Sequence, residues 1–161
     1  DPLHSVRVAE GIETLRLRTE RHAEETGHAP TVFLAPLGPA KMRSARANFA
    51  RNVFGVAGFD VAKPLKFETV DEAAEAAAEA DADVVVLCSA DSAYPQLTPA
   101  LQSALHEAGL SPLLVVAGNP EKIDAELPAD DFIHRGNLLR EKLEAFQQRL
   151  GLPVENGSID G

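Results

Sequence analysis

The chain has 161 residues, 45% of them hydrophobic and 25% charged, with 15 Lys plus Arg against 25 Asp plus Glu for a formal charge of −10. That is the length of one ordinary domain and the balance of a chain that buries a core, which sets aside a second full domain, a disordered polymer or a collagen-like repeat. A field of this sign repels phosphate polymers and anionic lipid heads, so neither nucleic acid nor a membrane is an expected partner.

Residues 3–26 place Val8, Ile12, Leu15 and Thr19 at helical spacing, which predicts a leading helix closed by Gly27 and Pro30. Thr31-Val32-Phe33-Leu34-Ala35 is then a short unbroken apolar run and is read as the first strand. Met42, Ala45, Phe49 and Val53 form the stripe of a first crossover helix, with Met42 assigned to the core. Phe59-Asp60-Val61 is a second, weaker strand, and Val70, Ala74 and Ala77 form an alanine-faced second helix. Thr69 and Glu72 have the spacing of a capping box before that helix.

Asp83 to Cys88 is the third strand; Leu97, Leu101, Leu105 and Ala108 line the next helix, which Gly109 stops; Pro112 to Val116 is the fourth strand. A short helix is expected around Glu121 to Glu126 and a fifth strand at Asp131-Phe132-Ile133. A last helix follows along Leu139, Leu143, Phe146 and Leu150, capped by Asn137 and ended by Gly151 and Pro153. Strands that are apolar throughout and alternate with helices imply βαβ units with both sheet faces covered. The fold class is therefore α/β: a flavodoxin-like, doubly wound, five-stranded parallel sheet in the order 2-1-3-4-5, with helices on both faces and a linker helix in front. The layout is 1–27 leading helix, 28–152 domain, 153–161 flexible tail.

One cysteine, Cys88, forms no internal disulfide, and no Cys/His spacing suits a structural zinc site, so a reducing cytoplasm is expected. The apolar runs are too short to span a bilayer and the N-terminus lacks signal-peptide order. The first residue is Asp1 rather than Met, which suggests a processed or trimmed chain.

In a doubly wound sheet ligands bind beyond the carboxyl ends of the strands where the order reverses, which singles out residues 35–45, 88–95 and 117–122. The first of these loops holds Pro36, Gly38 and Pro39 where a dinucleotide or P-loop site needs several glycines, so phosphate cradling is excluded. A flavin mononucleotide loop would have only Ser44, and a phosphoacceptor receiver lacks its acidic residues after strand one and its Lys after strand five. Lys41, Arg43, Arg46 and Arg51 read as a solvated basic face. Ser89, Asp91, Ser92 and Tyr94 line the exit from strand three, where the Ser and Asp residues read as turn formers, and Cys88 reads as a small buried hydrophobe. A triad of Ser89, His106 and Asp91 exists on paper only, since His106 lies a helix away. His4, His22 and His28 sit in the leader and His134 follows strand five, none at metal-ligand spacing.

Leu37-Gly38 with its following helix, Gly58 to Val61, the alanine-rich 71–83 segment, Val84 to Ser89, the Leu97 to Gly109 helix and Leu113 to Gly118 together resemble the cobalamin-binding domain of methylmalonyl-CoA mutase. The resemblance covers roughly residues 28–150. That family carries Asp-x-His-x-x-Gly after strand one, the His ligating cobalt and the Asp orienting it. Aligned on Gly38, those positions hold Ala40, Met42 and Ala45. The family's Ser-x-Leu becomes Ser89-Ala90-Asp91, and its Gly-Gly becomes Ala117-Gly118.

The resemblance therefore implies the small, non-catalytic subunit of a heterodimeric mutase, paired with a large catalytic subunit that holds adenosylcobalamin and interconverts methylmalonyl-CoA and succinyl-CoA. It implies no catalytic residue, metal ligand or cofactor of this chain's own. What remains is a vestigial pocket at Ala40, Met42, Ala45, Ser89, Ala117 and Gly118. The alternatives are a corrinoid or other small ligand held around Ser89 and Gly118 without a protein ligand to cobalt, or an unrelated flavodoxin-like binding protein.

Overall fold

Five short apolar runs pair side by side and parallel, because each is joined to the next by a crossover rather than a hairpin. In the computed structural model, which describes residues 15–61, 67–123, 126–134 and 139–152, the strands are β1 (Thr31–Pro36), β2 (Asp60–Val61), β3 (Val84–Cys88), β4 (Leu113–Ala117) and β5 (Asp131–Ile133). They lie in the order β2-β1-β3-β4-β5, every pair parallel. The helices are α1 (15–26), α2 (Ala40–Val56), α3 (Val70–Glu79), α4 (Tyr94–Glu107) and α5 (Leu139–Arg149). This is the doubly wound, flavodoxin-like α/β fold.

Alternate strand residues feed two cores. Val32, Leu34, Val84, Val86, Cys88, Val115, Ala117 and Ile133 face α1, α2 and α5. Phe33, Ala35, Val85, Leu87, Leu114 and Val116 face α3 and α4. The unbroken hydrophobicity of the strands is thus the sum of two alternating faces, each covered by helices. Thr69 and Glu72 form the capping box at the start of α3, with both reciprocal bonds made. Gly109 and Gly151 take positive φ just past their helices, as C-terminal stops do.

The structure departs from the sequence pattern in three places. Among the described residues of the 121–126 segment there is no α-helix: Pro120–Lys122 make one 3-10 turn, and Ile123 is extended and buried in the α3/α4 core. Asn119 accepts from the Glu121 N–H and caps that turn, so the local bonds are spent before an α-helix can propagate. Second, α2 is rotated from its expected face. Its buried residues are Ala47, Ala50, Val53 and Phe54, while Met42 and Phe49 are half-buried and Ala45 is exposed. Alanines let the helix approach the sheet closely, and Phe54 fills the remaining space, its ring 5.6 Å from those of Phe59 and Phe146. Third, α4 buries Tyr94, Thr98 and Ala104 along with Leu101 and Leu105, leaving Leu97 half-buried and Ala108 exposed. Val8, Ile12, Asn137, the Leu139 side chain, Pro153 and the 153–161 tail lie outside the described residues.

Helix α1 is fastened to the sheet layer by both kinds of contact. Leu15 is fully buried in the α2/α5 core. Gln147, also fully buried, donates to the Leu15 carbonyl at 2.7 Å and to Thr19 Oγ1 at 3.0 Å. Arg18, 7% exposed, pairs with Glu144 at 2.9 Å. If this docking contributes to the fold, Leu15→Ala lowers the unfolding free energy by about 2–5 kcal/mol in a urea titration. A loss below roughly 0.5 kcal/mol, the range of surface changes, would mean that α1 is not part of the cooperative unit.

Candidate functional site

The sheet order reverses between β1 and β3, and the backbones there continue past the strands: the Leu37 N–H donates to the Cys88 carbonyl at 3.1 Å. Gly38 follows with φ of +80°. A Cβ on Gly38 would run into Ser89 Oγ, so both the left-handed backbone and the close approach require glycine. Ser89 is fully buried, and its Oγ has no hydrogen-bond partner among the described residues.

Over this junction sits Tyr94, the first residue of α4, delivered by the 3-10 turn Asp91–Ala93 and fully buried. Its hydroxyl donates to the Ala117 carbonyl at 2.6 Å and accepts from the Ser89 N–H at 2.9 Å. Arg46 Nη1 reaches across from α2 and donates toward the same hydroxyl at 3.2 Å, toward the Ala117 carbonyl at 2.7 Å and toward Asp91 Oδ1 at 3.0 Å. Two N–H bonds serve three acceptors, so one is shared. The Arg46 guanidinium carbon also lies 5.8 Å from the Tyr94 ring centre, within cation–π range. A Cβ on Gly118 would stand 2.9 Å from Tyr94 Cε2 and 3.0 Å from Arg46 Nη1, so glycine leaves the room that these two side chains use.

The electrostatics follow from this closure. Burial pushes the Tyr94 hydroxyl up to about 12, against hydrogen bonds from Ser89 and Arg46 that favour the anion. Burial works against the charge on Arg46, but its bonds to Tyr94 and Asp91 outweigh that and raise its value. Burial drives the Cys88 thiol far above its usual range, with Arg46 pulling the other way. Cys88 is therefore a packed thiol and not a nucleophile.

A crevice of about 620 Å³ opens beside this cluster, between α2 and the carboxyl ends of β4 and β5. Of the vestigial-pocket residues expected from sequence, Ala45, Ala117 and Gly118 line it. Ala40 and Met42 do not; the one is exposed and the other half-buried at the start of α2. Ser89 lies behind Tyr94, its N–H on the phenol. Sequence reasoning placed Asp91, as a turn former, and Tyr94 at the exit from strand three, and it treated Arg46 as part of a solvated face. The structure corrects this: Arg46 turns inward to a carbonyl 71 positions away in the chain. No local spacing signals such a pair. The rest of the basic patch divides, Arg43 donating to the Gly38 carbonyl at 3.3 Å while Lys41 and Arg51 are exposed.

His106 lines a separate cavity of about 530 Å³ with Pro112, Leu114 and Asp130, at the amino end of β4. Ser89 and Asp91 sit beyond the carboxyl end of β3, so the paper triad does not assemble. Among the described residues no group of three or more His, Cys, Asp or Glu could hold a metal ion, and no helix is long and apolar enough to cross a membrane.

Fold and site together define a doubly wound α/β domain in which, beside the switch point, its own tyrosine and arginine bridge the exits of β3 and β4. No family model matches the chain. It is 39% identical over 155 residues to the methylmalonyl-CoA mutase small subunit of Porphyromonas gingivalis, covering 94% of this chain and 24% of the relative. It is likewise 39% identical over 151 residues to the small subunit of Streptomyces virginiae, covering 93% of this chain and 24% of the relative. To a probable methylmalonyl-CoA mutase large subunit of Mycobacterium bovis it is 31% identical over 99 residues, 62% of this chain and 13% of that protein. By sequence, then, the chain belongs with the methylmalonyl-CoA mutase small subunits, and it spans about a quarter of their length.

The chain contains one tyrosine and no tryptophan, so tyrosinate absorbance reports Tyr94 alone. The folded chain should ionise near pH 12 and the urea-unfolded chain near 10. Because the folded value is the higher, this group's stabilisation is intact below pH 10 and disappears as pH climbs from there toward 12. A midpoint near 10 in the folded chain would mean that the phenol is open to solvent.

Proposed function

We propose that this chain is a non-catalytic accessory domain of a heterodimeric, adenosylcobalamin-dependent methylmalonyl-CoA mutase. In this reading the large subunit is the partner, holds the cofactor and isomerises methylmalonyl-CoA and succinyl-CoA, while this chain contributes packing and stability in the cytoplasm. Residues 28–152 are the domain, 1–27 its leader and 153–161 its tail.

One observation carries the reading: beside the reversal of the sheet, where such domains bind ligands, Tyr94 and Arg46 are bonded to each other and to the Ala117 carbonyl across the exits of β3 and β4. The residues present do not fit a corrinoid held by a protein ligand. Ala40 and Met42 stand where the resemblance calls for an aspartate and a histidine. A methyl group offers no lone pair, and a thioether cannot replace an oriented imidazole. The imidazole at the crevice, His134, follows the edge strand β5. It stands two strand spacings, about 10 Å, from β3.

A second reading is favoured by the crevice itself, whose lining includes apolar Phe49, Ile133 and Ala45 beside Arg46 and Gly118: a small ligand, or a corrinoid without a side-chain ligand, could seat there. Mixing the purified chain with hydroxocobalamin separates the two. The accessory reading expects an unchanged corrinoid spectrum and colourless protein after desalting. It also expects the full-length protein to co-purify with a large mutase subunit. Retained colour or a shifted spectrum would favour the second reading, and a side chain coordinated to cobalt would overturn the first outright.

A further inference from the structure

Tyr94 sits as a bound ligand sits. Its ring is fully buried, and its hydroxyl uses its full capacity of one donor and two acceptor sites, on the Ala117 carbonyl, the Ser89 N–H and Arg46 Nη1. Gly118 supplies the space beside the ring edge, and the Arg46 guanidinium lies near its face. Three polar groups on three different segments therefore converge on one phenol. If the side chain were removed, all three would lose that partner, and a buried group stripped of its hydrogen bond is costly.

We infer that the slot between the exits of β3 and β4, beside the switch point, is a binding site for an uncharged phenol, occupied in this chain by Tyr94. The inference rests on the sealed-site reading given above and deepens it, since the slot is filled rather than lost. Its ligand class is a one-ring aromatic with a hydroxyl para to its attachment point. The hydroxyl supplies selectivity and the ring fills the volume.

The test is Tyr94→Ala with phenol, which reproduces the atoms deleted beyond Cβ, and benzene, which lacks the hydroxyl. At roughly ten times its Kd, phenol should raise the thermal midpoint of the variant by about 3–6 °C. Benzene at the same concentration should give less than half that shift, and the parent chain should respond to neither. If Tyr94→Ala does not fold alone, phenol must restore its far-ultraviolet circular dichroism. Tyr94→Phe, which keeps the ring and fills the slot, should fold and show no phenol response. Failure of phenol to stabilise or refold Tyr94→Ala, or an equal effect of benzene, would overturn the inference. Either failure leaves the hydroxocobalamin result untouched, so the two readings stand or fall separately.

Discussion

A tyrosine hydroxyl and an arginine meeting on one backbone carbonyl hold the carboxyl end of the sheet together. The Ala117 carbonyl accepts from both Arg46 and Tyr94. It ends β4, Tyr94 begins α4 and Arg46 lies within α2, so one oxygen ties elements from both faces of the sheet. The Ser89 N–H and Asp91 carboxylate add the exit of β3 to the same cluster. In a parallel sheet these are the loops free to differ among domains of one fold, since the strands are fixed by burial on both sides. Here those loops are bonded to one another, and little freedom is left for a guest.

This closure depends on small residues elsewhere. Ala47 and Ala50 seat α2 on the sheet, and Gly118 admits the Tyr94 ring. Larger side chains at these positions would hold helix and ring away from the carbonyl, whose bonds of 2.6 and 2.7 Å leave no slack. On the same face as α2, α1 and α5 complete the layer through a buried Gln147 whose amide is used twice. The leading helix is thus packed as part of the same core as α2 and α5.

Much of the fold was legible in the sequence, because five apolar runs at βαβ spacing leave few topologies and burial on two faces erases the polar alternation that would mark an exposed sheet. The capping box at Thr69 and the stop at Gly109 could be read directly, since both are local bonding patterns. What misled was inference from size. Met42 and Phe49 look like the inward stripe of α2, yet the close approach of that helix favours alanine. The 121–126 segment has the composition of a helix, but two prolines flank it, at 120 and 128, and Asn119 closes a turn. The site was the least legible part. Resemblance marked three crevice residues, Ala45 and Ala117 by what they had lost and Gly118 by what it kept. The residues that fill the site, Arg46 and Tyr94, act through contacts 48 and 71 positions apart, which no spacing in a single sequence encodes.

The most direct measurement of the central claim is a double-mutant cycle on Arg46→Met and Tyr94→Phe, read by chemical denaturation. If guanidinium and phenol close the site jointly, the two losses should be strongly non-additive, with a coupling energy of about 1–3 kcal/mol. Losses that add to within roughly 0.5 kcal/mol would show that the two side chains act independently, and the idea of a jointly closed switch point would have to be abandoned.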